Sequence, residues 1–283
     1  MKQPAKSKSA QVAQALRGAA FAAPLIVILA AFLVWPLVIM TGRSLSGAET
    51  AFSLAVYQEV LTTPRHLEAF MYTALLAGLA TFLALAICTP AAIYIEGRPS
   101  RARRLVAVAL ATPLSLPGIV IGFFVILGFG RTGVFTNFLE VITDLRNPQF
   151  AYTFGGMLLG YVYFAIPRVL LVLRGAVSGI LSDTVDAART LGATPWRVFF
   201  EIVLPAMRPA LVSAASLSLA TAFGAFGTAA TLSRGIRVVP LEIAALFTEQ
   251  FQPDRAAALS ILLALVTVTL IVGVGRLDRK APT

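Results

Sequence analysis

The stretch "DAARTLGATPWRVFFEIVLP", residues 186–205, lies between two blocks apolar enough to cross a membrane, yet it carries charges, a glycine and two prolines. What keeps such a segment out of the bilayer has to lie in its local chemistry. Asp183, three residues before Asp186, suits an N-cap with an acid at the third helical position. Ala187 and Ala188 are strong helix formers. Gly192 suits the left-handed residue that closes a helix, so a positive φ is expected there. Thr194 followed by Pro195 predicts the cap and first residue of a second short helix. Over residues 196–203 that helix would set Trp196, Phe199, Phe200 and Val203 on one apolar face, with Arg197 and Glu201 opposite. Pro205 would stop it and Pro209 would open the next span. The prediction is a helix–turn–helix along a membrane surface. Amphipathic helices resting among headgroups would explain the Trp and Phe. An acid, two alanines and a glycine within seven residues point instead to docking against a protein.

Outward from this segment, the chain of 283 residues is 58% hydrophobic and only 13% charged, with a mean hydropathy of +0.85. A soluble domain of this length carries far more charge. The apolar residues fall into blocks that predict six membrane spans at about 19–42, 69–95, 105–130, 151–173, 209–233 and 256–275. The charged stretch, 183–205, then joins the fourth and fifth. Residues 1–18 and 276–283 read as basic tails. The first apolar core, about 22 residues, exceeds the roughly 7–15 of a cleaved signal and is expected to be retained. With both termini cytosolic, Lys and Arg divide 16 inside to 7 outside. The net charge of +10 therefore gathers on the inner rim, where anionic lipid headgroups explain it better than nucleic acid does. The outer loops carry a short amphipathic helix around "NFLEVITDL" and a stretch, "VVPLEIAALFTEQF", that dips back toward the outer face.

Asp186, Ala187, Ala188, Gly192, Ile202, Leu204 and Pro205, at their spacing over twenty residues, resemble the EAA motif. That motif marks the membrane subunits of binding-protein-dependent ABC importers of the type I fold. The resemblance covers nearly the whole chain and implies an all-α, six-span protein of a bacterial inner membrane. It implies that residues 183–205 seat on a separate ATPase subunit, with Asp186, Ala187, Ala188, Arg189, Gly192, Phe199, Ile202, Leu204 and Pro205 forming the coupling surface. It further implies two ATPase subunits holding ATP and Mg, a second permease half and a periplasmic solute-binding protein. The family's usual Glu is Asp186 here, one methylene shorter. Within the family, the residues around 113–124 and 221–232 look like those of the spermidine/putrescine, iron, thiamine, sulfate and aminoalkylphosphonate subgroup, with a polyamine-like solute favoured.

Two other stretches stand out. Pro113, Pro117 and Gly118 sit inside the third span, as a packing kink or as a bend in a pathway. Gly224, Phe226 and Gly227 sit inside the fifth, for close helix approach or for pathway lining. Gly156 and Gly160 read as packing glycines. Arg168, near the cytosolic end of the fourth span, is expected to snorkel to that interface. Cys88 is the only cysteine, so neither an intrachain disulfide nor a thiolate metal cluster can form. No buried acid/base pair is visible for an enzyme. An ion-coupled secondary transporter, the main rival, would place Asp, Glu or His at the midplane. The chain lacks a G-x-x-x-x-G-K-S/T phosphate loop, so an ATP-driven role requires a partner.

Overall fold

The fold comes from a computed structural model that describes residues 23–25, 27–45, 53–97, 100–143, 150–180 and 183–279. The expected tails therefore lie largely outside the described residues. Thirteen helices organise the rest. Helix α1 is Ala23–Leu45, with a π turn at Ala30–Val34; α2 is Ala55–Thr62 and α3 Pro64–Glu96. Helix α4 is Arg101–Ala111, followed by a 3-10 turn, Thr112–Ser115; α5 is Gly118–Phe129 and α6 Val134–Thr143. Then come α7, Phe154–Ile180, α8, Asp183–Thr190, and α9, Pro195–Ala206. The chain ends in α10, Arg208–Phe223, α11, Phe226–Leu232, α12, Val239–Thr248, and α13, Pro253–Arg279.

Among the described residues, five helices are long and apolar enough to cross a membrane. A sixth is reached if α9 and α10, bent by 65°, count as one. At 33 residues, α3 is about 50 Å long and outreaches a hydrocarbon core of roughly 30 Å. It is also the spine of the fold. Ala69, Thr73, Ala77, Ala80, Ala84, Cys88 and Ala92 recur at helical spacing on its buried face. These small side chains let α7 and α10 come close, which is how helices associate where lipid removes the hydrophobic drive. Hydroxyls in this apolar setting bond within the bundle: Thr89 donates to Leu85 O at 2.7 Å, and Thr81 meets Ser218 of α10 at 2.9 Å.

Two spans differ from their hydropathy blocks. The third is not continuous over 105–130. The chain breaks at residues 112–117, Arg101–Ala111 becomes a separate amphipathic helix, and the crossing helix is Gly118–Phe138. Pro113 and Pro117 have no N–H to donate, and Leu116 and Pro117 take extended backbone, so the helix cannot run through. The fifth block, 209–233, breaks at Gly224–Ala225. The fourth helix runs on to Ile180, which puts Arg168 near its middle and not near an end. Its guanidinium folds back one turn, donating to Phe164 O at 2.6 Å and lying 3.8 Å from the Phe164 ring centre. It does not snorkel. The outer helix starts at Val134, three residues before "NFLEVITDL", and the dipping stretch is α12, packed on α3 and α13.

Ion pairs sort the chain into two ends. At one, Arg174 Nε donates to Glu96 Oε1 at 2.6 Å. At the other, Arg65 forks onto the buried Glu242 (2.5 and 3.2 Å), Arg237 pairs with Glu68 at 3.0 Å, and Arg255 pairs with Glu59. Segments that the positive-inside count places on one side thus meet one another, and so do those it places on the opposite side. His66 also belongs to the second end, buried with Nδ1 3.7 Å from Glu242.

Candidate functional site

The segment 183–205 is set by its turn. Gly192 has φ +82°, and two hydrogen bonds close the end of α8: Gly192 N to Arg189 O and Ala193 N to Ala188 O, each 3.0 Å. This is a Schellman closure, with Gly192 in the left-handed position. A Cβ on Gly192 would meet nothing within 4 Å, so the requirement for glycine is one of backbone, not of space. Thr194 then caps α9, its Oγ1 accepting from Arg197 N at 3.4 Å, with Pro195 in the first turn. The cap expected of Asp183 differs, since α8 already includes that residue and its side chain lies outside the described ones.

Helix α9 departs from the expected amphipathic α-helix. Residues Val198–Val203 form a π turn, in which Leu204 N reaches back five residues to Phe199 O. Pro205 explains it, since it cannot donate to Glu201 O and its ring crowds that carbonyl, so the preceding turn widens. Nor does Pro205 stop the helix, which runs to Ala206 and bends at Met207. The widening also redraws the apolar face. Val198 and Val203, five apart, are buried on the core, whereas Trp196 and Phe200 stack on each other and stand in the open. Phe199, Ile202 and Leu204 are half-buried, and Arg197 pairs with Glu201 at 2.8 Å.

On α8, Val185 and Ala188 face the core, while Asp186, Ala187 and Arg189 face outward. Arg189 Nη1 lies 4.0 Å from Asp186 Oδ1, an exposed pair worth little by itself. Leu191 at the tip is 89% exposed and Trp196 73%. Ala187, Leu191, Trp196 and Phe200 thus stand open on either side of a turn closed by two hydrogen bonds, at the end of the molecule that carries Arg174 and Glu96.

The two broken spans meet. A Cβ on Gly118 would lie 3.1 Å from Thr228 N, and one on Gly227 would lie 2.9 Å from Ile119 N. Helices α5 and α11 therefore pack backbone to backbone where both begin, the packing reading of Gly118 and Gly227. Thr228 Oγ1 donates to Gly118 O at 3.1 Å, tying the starts of α5 and α11 together, and Tyr161 of α7 donates to Ala225 O at 3.2 Å at the break in the fifth block. Ala225 (φ −75°, ψ 77°) is the centre of an inverse γ-turn, with Phe226 N bonded to Gly224 O at 2.8 Å. Pro117 and Gly224 are exposed beside this junction, Phe226 is partly so, and Pro113 is buried behind it. Gly122 was missed: a Cβ there would fall onto Thr231 of α11. The Gly118-x-x-x-Gly122 spacing was the available signal. Gly160 packs on Leu232 and Thr228 as a packing glycine should, and Gly156 lies on the carbonyls of Phe150 and Ala151.

Residues 88–280 match the family described as binding-protein-dependent transport system inner membrane component. The molybdenum transport system permease protein ModB of Mycobacterium tuberculosis is 30% identical over 220 residues, covering 76% of this chain and 81% of its own. The putative 2-aminoethylphosphonate transport system permease protein PhnU of Salmonella typhimurium is 26% identical over 259 residues, covering 90% and 89%. A chain of the bacterial alginate ABC transporter, crystallised with its pentasaccharide-bound periplasmic protein, shares the fold at a TM-score of 0.83 and 18% identity over 95% of this chain and 96% of that one. Helices that cross, breaks that meet and a family match over two-thirds of the length converge: the chain belongs to the binding-protein-dependent inner-membrane components, the multi-pass permease subunits of ABC importers.

Proposed function

We propose that this permease forms half of the pathway of an importer for a small oxyanion, with residues 183–205 as the lever on which an ATPase subunit pulls. The observation that carries the lever is that Ala187, Leu191, Trp196 and Phe200 stand open on a segment whose angle is set by the Gly192 turn. Ala187 lets a partner backbone approach, Asp186 and Arg189 offer polar contacts at the rim, and Phe199, Ile202, Leu204 and Pro205 fix the lever to α10. ATP and Mg are held by two ATPase partners, a second permease chain completes a twelve-span pore, and a periplasmic binding protein delivers the solute. The broken spans, α5 and the α10–α11 pair, line the pathway at Pro117, Gly224 and Phe226, with Gly118 and Gly227 packing the two spans together behind them. The lever end faces the cytosol, as the 16 to 7 division of basic residues favours.

The oxyanion replaces the polyamine favoured from the subgroup resemblance. Molybdenum in neutral water is the tetrahedral dianion molybdate, and 2-aminoethylphosphonate carries a tetrahedral phosphonate. The solutes in the names of the two relatives therefore share that group. No Asp or Glu among the described residues stands at the junction of the broken spans to receive a polycation. The start of α5, without a side-chain cap, presents the positive end of a helix dipole there instead. Uptake of labelled molybdate, 2-aminoethylphosphonate and putrescine into cells with and without this chain tests the reading. Loss of oxyanion uptake is expected, and loss of putrescine uptake alone overturns it.

A further inference from the structure

At the lever end, α3, α4 and α7 flank an open cavity of about 700 Å³ lined by Glu96, Arg101, Arg103, Arg104, Val108 and Arg174. Arg174 is paired with Glu96, whereas Arg101 and Arg104 are exposed and have no carboxylate partner among the described residues. With Arg174 and Glu96 neutralising each other, Arg101 and Arg104 leave the cavity positive. Its rim is greasy: Leu105 is 70% exposed on the same helix, and Val108 and Tyr94 are exposed beside it. Arg103 lies over the Tyr94 ring at 4.6 Å, which keeps the basic and apolar sides together.

We propose that this cavity is a binding site for the phosphate headgroup of an anionic phospholipid, with the acyl chains lying along Leu105 and Val108. It rests on the reading that this end faces the cytosolic leaflet. Charge complementarity selects the phosphate, and basic pockets between helices on that side of a membrane are suited to such headgroups. The exposed apolar rim has no use for a free ion and suits chains.

The test is made on the assembled importer in detergent, by native mass spectrometry with added dioleoylphosphatidylglycerol, dioleoylphosphatidylcholine as control, and separately with inorganic phosphate. An Arg101→Gln/Arg104→Gln double variant should weaken phosphatidylglycerol binding about 30-fold, roughly fivefold per arginine. An Arg101→Lys/Arg104→Lys variant should keep most of it, and Arg237→Gln at the opposite end should change nothing. Both altered arginines are exposed, so assembly and membrane level should hold. Phosphatidylglycerol binding equal in the double Gln variant and the wild type overturns the site. Protection of delipidated wild type by inorganic phosphate alone overturns the lipid, and release of an ATPase subunit with unchanged lipid binding makes the patch a protein contact instead. Because binding is read in micelles, failure of the site is separable from failure of the orientation, which is read from uptake.

Discussion

Gly192→Val isolates the turn from everything around it. The backbone there sits at φ +82°, and an added Cβ would meet nothing within 4 Å, so the whole cost is conformational. A β-branched residue in the left-handed region costs roughly 1–2 kcal/mol. Helix α8 is eight residues long, too short to hold its shape without its ends fixed, so the Schellman bonds from Gly192 and Ala193 are what aim it at α9. A penalty of 1–2 kcal/mol lowers the population of the correctly aimed lever about 5- to 30-fold. The spans are untouched, so membrane levels should stay normal while solute uptake and retention of the ATPase subunit fall together. A graded series sharpens the test. Gly192→Asn, which tolerates the left-handed region, should be nearly silent, with Gly192→Ala intermediate. The assays are ATP-driven uptake in proteoliposomes and co-purification of the ATPase. If Val and Asn behave alike, the left-handed turn does not set the lever and the coupling reading fails.

Other outcomes follow from the same coordinates. Gly122→Ala should push α5 from α11, since its Cβ would lie 2.8 Å from Thr231 Cβ, an overpacking of about 1–3 kcal/mol. Thr231→Ala in the same chain removes the Oγ1, which would lie 1.7 Å from the new Cβ, and should restore part of the lost melting temperature; absence of any rescue would show that the two helices do not meet there. Arg65→Ala leaves Glu242, only 4% exposed, without its forked partner and should destabilise by about 1–3 kcal/mol. Arg237→Ala, at an exposed pair with Glu68, should cost under about 1 kcal/mol; thermal unfolding in detergent compares the two, and equal losses would refute the burial argument. Trp196→Ala and Phe200→Ala should leave the melting temperature unchanged, because both side chains stand in the open, yet weaken ATPase binding about tenfold or more. Unchanged binding in a titration of the ATPase subunit would move the docking face elsewhere.

Local chemistry explains what could be read without coordinates. Hydropathy of contiguous blocks located the first, second, fourth and sixth crossing helices, because transfer into lipid depends on each residue's own side chain. The Gly192 turn and the Thr194–Pro195 cap were legible for a related reason: their hydrogen bonds close within five residues, so the whole determinant lies in one short window. Three things were not. The π turn before Pro205 split Trp196 and Phe200 from the apolar face they were expected to share with Val203, since a helical wheel presumes 3.6 residues per turn. Arg168 was placed by the end of its apolar block, while α7 continues past that block to Ile180 on the strength of contacts with α3. The breaks at residues 112–117 and at Gly224–Ala225 each showed as proline or glycine, but nothing in either stretch says that they meet. Gly118 O and Thr228 Oγ1 are 110 residues apart and join only because α7 packs on both helices. Whether a glycine is a kink, a packing surface or a pathway wall depends on which backbone arrives beside it, and only the tertiary structure supplies that neighbour.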